Sequence, residues 1–306
     1  LKTTDGGESW QHLPNTPVQF NDIFFLDENK GWGISRRDSY FTNNGGESWQ
    51  RVDVNSLVSP FDESFSQIQF VSQQVGWAML GRGEVWRSDN GGLNWHKQLA
   101  VDTENYFDFH FISMHFTDAL HGWVLASYCP HDAFCAFNHI IYRTQDGGQT
   151  WEEVYTQEPE PVMHYQLFFL DDSTGWAGSF SLGVYKTTDA GYTWNYFALP
   201  LPEPLPGQCV FPGGVVEVEF INDTLGMLAT YGFYFSNCNG YGEMGFFVST
   251  DGGQSWKRQL PVRPSSLYQD IDMTSDSVAY FSDGFTLYRY RGRPAQCSSV
   301  LEVEGA

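Results

Sequence analysis

Apolar residues fall in short bursts along this chain, and each burst is closed by Gly, Asn, Asp or Ser. In one stretch the bursts cover 65–72, 76–80, 84–88 and 94–99, with turn residues at every joint. Runs of five to eight residues punctuated in this way predict β-strands, and no 3.6-residue apolar period persists long enough to predict a helix. The pattern then repeats. An octad occurs as Thr3-Thr4-Asp5-Gly6-Gly7-Glu8-Ser9-Trp10, TNNGGESW ending at Trp49, SDNGGLNW at Trp95, TQDGGQTW at Trp151, TTDAGYTW at Trp194 and STDGGQSW at Trp256. Between octads lies an apolar segment, a turn and Gly-Trp: FFLDENKGWGIS at 24–35, FVSQQVGWAML at 70–80, FTDALHGWVLA at 116–126 and FFLDDSTGWAGS at 168–179. A further copy, FINDTLGMLA at 220–229, carries Met227 in place of Trp.

Four short strands per repeat of about 40–60 residues predict a β-propeller, whose blades bury their faces on one another and whose ring removes free edges. The octad sits between the third and fourth strands of each blade. Its acidic or amide residue (Asp5, Asn44, Asn90, Asp146, Asp189 and Asp251) can accept backbone N–H bonds across the turn. The second glycine supplies a left-handed conformation, while the first is expected to be less demanding because Ala190 replaces it. The tryptophan then fills space between blades.

These octads resemble the Asp-box, or BNR repeat, of sialidases, sortilin-type receptors, xyloglucanases and photosystem II assembly-factor propellers. The pairing of Gly-Trp with the octad is most similar to the last group and its bacterial relatives. The resemblance implies an all-β single propeller in which the Asp-box is a structural turn. Blades are expected at about 17–52, 64–99, 107–155, 163–197, 214–260 and 267–291, within one domain spanning 1–306. Residues 267–291 offer three strands and no octad, so residues 1–13 are expected to close that blade and 292–306 to form a tail. This gives six blades, with seven as the alternative if residues upstream belong to the ring.

The strand order puts the octads and the turns between first and second strands on one rim. The large insertions, 127–139, 156–162, 198–213 and 236–245, fall on the other. Long connections gathered on one end of a rigid scaffold point to binding, with Tyr128, His131, Phe134, Phe211 and Tyr241 as candidate anchors. Cys129 and Cys135 bracket one insertion, and Cys209 and Cys238 lie on the same rim in another blade. Disulfides Cys129–Cys135 and Cys209–Cys238 are expected, and with them an extracellular, periplasmic or lumenal location; Cys297 is left over.

Aligned on the phenylalanine before each first turn, the innermost strands present one polar row, Asp22, Gln67, Ser113, Gln166, Glu217 and Asp270. A second row holds Phe24, Gln69, His115, Phe168, Glu219 and Asp272. The carboxylates of Asp22, Glu217, Glu219, Asp270 and Asp272 can hold calcium or do acid–base work; the simpler expectation is a water-filled polar channel with no cofactor. His110, His115, His121, His131, His139 and His164 cluster in blade three and its neighbour; a metal site or general base is conceivable there, but the spacing matches no helix-borne motif and singly placed histidines usually just hydrogen-bond.

Composition narrows the function. Sixteen Lys and Arg against 37 Asp and Glu give a net charge of −21, which argues against nucleic acid and anionic lipid. No run of apolar residues is long enough for a transmembrane segment. Aromatic residues are 17% and glycines number 31, as an all-β chain requires. Sialidases also carry an arginine triad and an Arg-Ile-Pro motif, and neither is recognisable here; Arg36-Arg37 is the one adjacent pair of arginines. Xyloglucanases set two propellers face to face. The expectation is therefore a non-catalytic propeller that binds a protein partner through its loop-rich face. A glycan-active hydrolase or lyase using the channel carboxylates, and a subunit of an extracellular assembly, are the alternatives.

Overall fold

A computed structural model of the chain describes residues 2–6, 8–13, 19–35, 38–53, 65–80, 82–104, 106–130, 138–157, 163–179, 183–200, 208–209, 214–230, 235–236, 245–259, 270–275, 278–282, 287–291 and 300–304. All regular structure among them is β. The chain divides into two compact units, Leu1–Glu158 and Pro159–Ala306.

The first unit holds three four-stranded antiparallel sheets, each in chain order. They are β1 (Asp22–Phe25), β2 (Gly31–Ser35), β3 (Asp38–Thr42) and β4 (Gln50–Asp53); β5 (Phe65–Phe70), β6 (Gly76–Leu80), β7 (Glu84–Ser88) and β8 (His96–Ala100); and β9 (Tyr106–Phe116), β10 (Gly122–Pro130), β11 (Asn138–Thr144) and β12 (Glu152–Gln157). Ahead of them Lys2 and Gln11 pair in an antiparallel bridge.

The second unit holds β13 (Met163–Phe169), β14 (Gly175–Ser179), β15 (Gly183–Thr187) and β16 (Asn195–Ala198) in one sheet. Next come β17 (Gln208–Cys209), β18 (Val215–Phe220), β19 (Gly226–Thr230), β20 (Phe235–Ser236), β21 (Gly245–Ser249) and β22 (Lys257–Arg258). Of these, β18, β19, β21 and β22 form a four-stranded sheet, and β17 pairs with β20. The last sheet is β23 (Asp270–Ser275), β24 (Val278–Ser282), β25 (Leu287–Arg291) and β26 (Val300–Glu304).

Burial follows position in the sheet. The second strands β6, β14 and β19 are buried at every residue, which is why they read as unbroken apolar runs. The fourth strands β8 and β16 are largely exposed. Cores form between consecutive sheets. Trp32 and Ile34 of the first sheet pack with Phe65, Ile68 and Phe70 of the second. Trp176 of the fourth packs with Val218, Phe220 and Phe247 of the fifth.

One aromatic arrangement recurs at these seams. The Gly-Trp indole of one sheet stacks on the phenylalanine ending the first strand of the next: Trp32 on Phe70 at 3.8 Å, Trp77 on Phe116 at 3.7 Å and Trp176 on Phe220 at 3.6 Å. That phenylalanine meets its own octad tryptophan edge-on, at 5.9 Å for Phe70 and Trp95 and 5.8 Å for Phe220 and Trp256. Glycine precedes the indole because a Cβ there would come within 2.6 Å of the phenylalanine ring, as at Gly76 and Gly175.

Three expectations need correction. Residues 267–291 do not stop at three strands: β26 pairs along the whole of β25, from Leu287 opposite Glu304 to Arg291 opposite Val300. The alternating Val-Leu-Glu-Val-Glu suits an outer strand, but no octad announces it. The span 292–306 is thus more than a tail, and residues 1–13 are not needed to close that sheet. The insertion at 127–139 begins later than expected, because Ser127–Pro130 still pair within β10 and Asn138–His139 within β11. Finally, the first octad glycine is as left-handed as the second: φ is +73° at Gly252 and +83° at Gly253, and Ala190 adopts +64°. A Cβ at Gly252 would also lie 2.6 Å from the carbonyl oxygen of Asp223.

Candidate functional site

The octads build a closed polar turn. Asp251 Oδ1 accepts from the Ser255 backbone N–H at 2.9 Å and from the Ser249 hydroxyl at 2.9 Å, and Oδ2 accepts from the Ser255 hydroxyl at 2.5 Å. The Ser249 oxygen in turn accepts the Gly253 N–H at 2.8 Å. Asp146 and Asp189 repeat this pattern, and Asp5 does so in the first hairpin. Asn44 and Asn90 keep the backbone bond through their amide oxygen, at 3.0 and 2.8 Å. Burial pulls the Asp146, Asp189 and Asp251 carboxyls up, but the bonds they accept outweigh it and hold each below the usual range. At Asp5 the Ser9 hydroxyl and N–H lower the value to about 2.

The first octad residue after the acid then donates its N–H to the turn between first and second strands: Gly45 to Asn29, Gly147 to Leu120, Ala190 to Ser173 and Gly252 to Thr224, all at 2.8 Å. That turn has an acceptor of its own, missed in the sequence. Asp27, Asp118, Asp171 and Asn222 each cap two N–H groups two and three residues on. Basic residues before the octad were also missed. Lys186 Nζ donates to Gly252 O of the next sheet at 2.8 Å, and Arg87 Nη1 to Gly147 O at 2.8 Å. Their cations lie 5.1 Å from the Trp176 and Trp77 rings. A Lys or Arg immediately before Ser/Thr-x-Asp/Asn was the available signal.

The two rows on the first strands behave as lateral links. Asp22 Oδ2 accepts Ile68 N–H at 2.8 Å, and Gln67 and Gln69 accept the N–H of Met114 and Phe116 at 2.7 and 2.8 Å. Gln166 accepts Val218 N–H at 2.8 Å and donates to Glu217 Oε1 at 2.7 Å. Glu217 Oε2 accepts Ile271 N–H at 2.8 Å, and Glu219 Oε2 accepts Met273 N–H at 2.7 Å. Each side chain thus reads the backbone of the following sheet. Asp270 lies on β23, and its side chain is outside the described residues. Asp272 keeps contact with solvent, yet desolvation by the surrounding protein raises its carboxyl above the ordinary range. Among the described residues no group of three or more His, Cys, Asp or Glu is placed to hold a metal ion.

At the opposite end of the strands, the third sheet extends furthest. Tyr128 is not an exposed loop anchor: it lies in β10, half-buried, with its ring 4.9 Å from Tyr106. Cys129 beside it is buried and disulfide-bonded. Ser127 stands opposite both His110 and His139, and Asp108 contacts His110 Nε2 at 2.7 Å. Burial raises the Tyr106 and Tyr142 hydroxyls and pushes Tyr155 up to about 12. In the fifth sheet Cys209 is paired opposite Phe235, which leads into the connection that carries Cys238. His131, Phe134, Cys135, Phe211, Cys238, Tyr241 and Cys297 lie outside the described residues.

Residues 47–196 match the family model described as photosynthesis system II assembly factor YCF48, and residues 247–258 match that of the BNR/Asp-box repeat. Among solved structures, YCF48 from Cyanidioschyzon merolae is similar at 18% identity and a TM-score of 0.61, covering 90% of this chain and 83% of that one. An ancestral GH74 enzyme is similar at 20% identity and 0.60, covering 95% of this chain and 39% of that one. The C-terminal WD40 domain of Sif2 is similar at 11% identity and 0.53, covering 92% and 70%. No curated protein matches the chain. At these identities the likeness shows the fold, a β-propeller.

Proposed function

We propose, from the premise that this chain is an Asp-box (BNR) repeat propeller related to the photosystem II assembly factors, that it is a non-catalytic propeller. It binds a protein partner through the ends of the sheets that carry the long insertions. One observation carries the reading: the first-strand carboxylates of Asp22, Glu217 and Glu219 each hold an amide of the neighbouring sheet. A glycosidase needs two carboxyls free to face one bond, whereas these serve as connectors. Within each unit the octads are occupied as well, since they are bonded to the adjoining turns. That leaves the insertions 127–139, 156–162, 198–213 and 236–245 as the surface for recognition, with His131, Phe134, Phe211 and Tyr241 as anchors. Charge complementarity favours a partner of positive surface, given the net charge of −21. The bonded Cys129 supports an extracellular, periplasmic or lumenal setting.

The test is a pull-down from native extract with the captured proteins identified by mass spectrometry. Alanine at Phe134, Phe211 and Tyr241 together is expected to abolish capture while the fold survives; undiminished capture overturns the assignment. A second reading, glycan turnover, is favoured by the solvent-open, raised carboxyl of Asp272. Hydrolysis or elimination on a glycan panel, abolished by both Glu217→Gln and Asp272→Asn, would establish it.

A further inference from the structure

We infer that Asn222 is an acceptor for N-linked glycosylation, and that its turn offers the amide nitrogen to an oligosaccharide donor while the amide oxygen maintains the fold. Asn222-Asp223-Thr224 is the only Asn-x-Ser/Thr triplet in the sequence. Such a triplet becomes an acceptor only at the surface of a chain that passes through a lumenal or extracellular compartment. The structure supplies the surface position. The compartment rests on the setting proposed above from the bonded Cys129.

The triplet forms the turn between β18 and β19, and Asn222, Asp223 and Thr224 are all exposed. Asn222 Oδ1 accepts from the Thr224 N–H at 3.0 Å, the Thr224 hydroxyl at 2.8 Å and the Leu225 N–H at 2.8 Å. None of these three bonds uses Nδ2, so that nitrogen can be substituted without loosening the turn. Transfer from a lipid pyrophosphate-linked oligosaccharide joins Nδ2 to the anomeric carbon and breaks the bond from that carbon to the pyrophosphate oxygen. One amide proton and the lipid pyrophosphate leave, and nothing is oxidised or reduced. The product is still an amide, so Oδ1 keeps its three donors. Asp27, Asp118 and Asp171 cap the corresponding turns and have no nitrogen to offer. At Asp171 the geometry is otherwise the same: Oδ1 accepts from the Ser173 N–H at 2.8 Å, the Ser173 hydroxyl at 2.8 Å and the Thr174 N–H at 2.7 Å. The choice of amide over acid, on a shared turn, therefore sets where the sugar goes. This turn lies at the end of β19 opposite the connection that carries the insertion 236–245, so a glycan here leaves the recognition end of the fifth sheet uncovered.

The test reads the mass of the peptide spanning 220–229. In chain recovered from native extract, peptide-N-glycosidase in heavy-oxygen water is expected to convert Asn222 to aspartate carrying the label. The full chain secreted from eukaryotic cells behind a leader is expected to be heavier by one oligosaccharide, an increment the same enzyme removes. Asn222→Asp and Thr224→Ala lose the increment, Thr224→Ser keeps it, and Asp171→Asn adds a second. Because the enzyme leaves aspartate behind, the deglycosylated chain and Asn222→Asp are the same molecule and must melt together, which separates loss of the acceptor from loss of the fold. Unlabelled Asn222 in the native chain, or an increment on the secreted chain that survives Asn222→Asp, overturns the inference. Alkylation of Cys129 in the native chain without reduction marks the other failure, that of the proposed compartment, and partner capture is read independently by the pull-down.

Discussion

Replacing Asp251 isolates what the octad contributes. Three donors converge on its carboxylate, and two of them belong to Ser255. Alanine removes all three acceptor contacts, but the Ser255 N–H is near the surface and water replaces part of the loss. Removal of a comparable capping carboxylate costs about 0.5–2 kcal/mol, and hydrogen bonds to charged groups sit at the upper end. The expected destabilisation for Asp251→Ala is about 1.5 kcal/mol by that scale, or a melting shift of about 2 °C for a chain of 306 residues. Asp251→Asn keeps the Oδ1 acceptor in the geometry already used by Asn44 and Asn90, so about 0.5 kcal/mol is expected. The pH dependence follows from the lowered carboxyl. A folded-state pKa below the unfolded one gives stability that is complete above the unfolded value, near 3.8, and fades as pH falls through the folded value. The gap between native and Asp251→Asn urea midpoints should therefore be constant from pH 7 to 5 and close toward pH 2. If asparagine costs as much as alanine, or alanine costs nothing, the turn is not held by this acceptor.

Three further outcomes are expected. Gly252→Ala should lower the urea midpoint by the equivalent of about 1–3 kcal/mol, since φ is +73° and the new Cβ meets a carbonyl, while Ala190→Gly should be neutral or stabilising; a clear loss for Ala190→Gly contradicts the strain assigned there. Glu217→Ala should leave the Ile271 amide without its acceptor, cost about 1–3 kcal/mol and speed that amide's hydrogen exchange; unchanged exchange rejects the lateral link. Non-reducing peptide mapping should return Cys129 cross-linked to Cys135 and Cys209 to Cys238, with Cys297 alkylated; any other pairing removes the argument for a common rim.

Strand positions and turns were readable because two spacings carry them: the octad, and the distance from Phe to Gly-Trp. Where those signals fail, so did the reading. The strand at Val300–Glu304 has no octad before it, and the pairing at Ser127–Pro130 looked like the start of an insertion because Cys129 and Pro130 suggest a loop. Replacement of glycine by Ala190 looked like evidence of tolerance, although the backbone there is left-handed. The rows of Asp22, Gln67, Gln166 and Glu217 were visible by alignment, but their partners are backbone amides of the next sheet, which composition cannot display. Tyr128 looked like an anchor because tyrosine suits interfaces, and only the strand pairing shows that it packs on Tyr106.

Because those lateral links grasp amide hydrogens, neighbouring repeats depend little on one another's side chains along that line, the contact of Gln166 with Glu217 being the exception among the described residues. Asp, Gln and Glu perform the same task at successive positions, each indifferent to whether Ile68, Met114 or Val218 follows. A repeat can therefore be exchanged, duplicated or allowed to drift with its registration intact, leaving the chain free to vary its connections without renegotiating how its modules are joined.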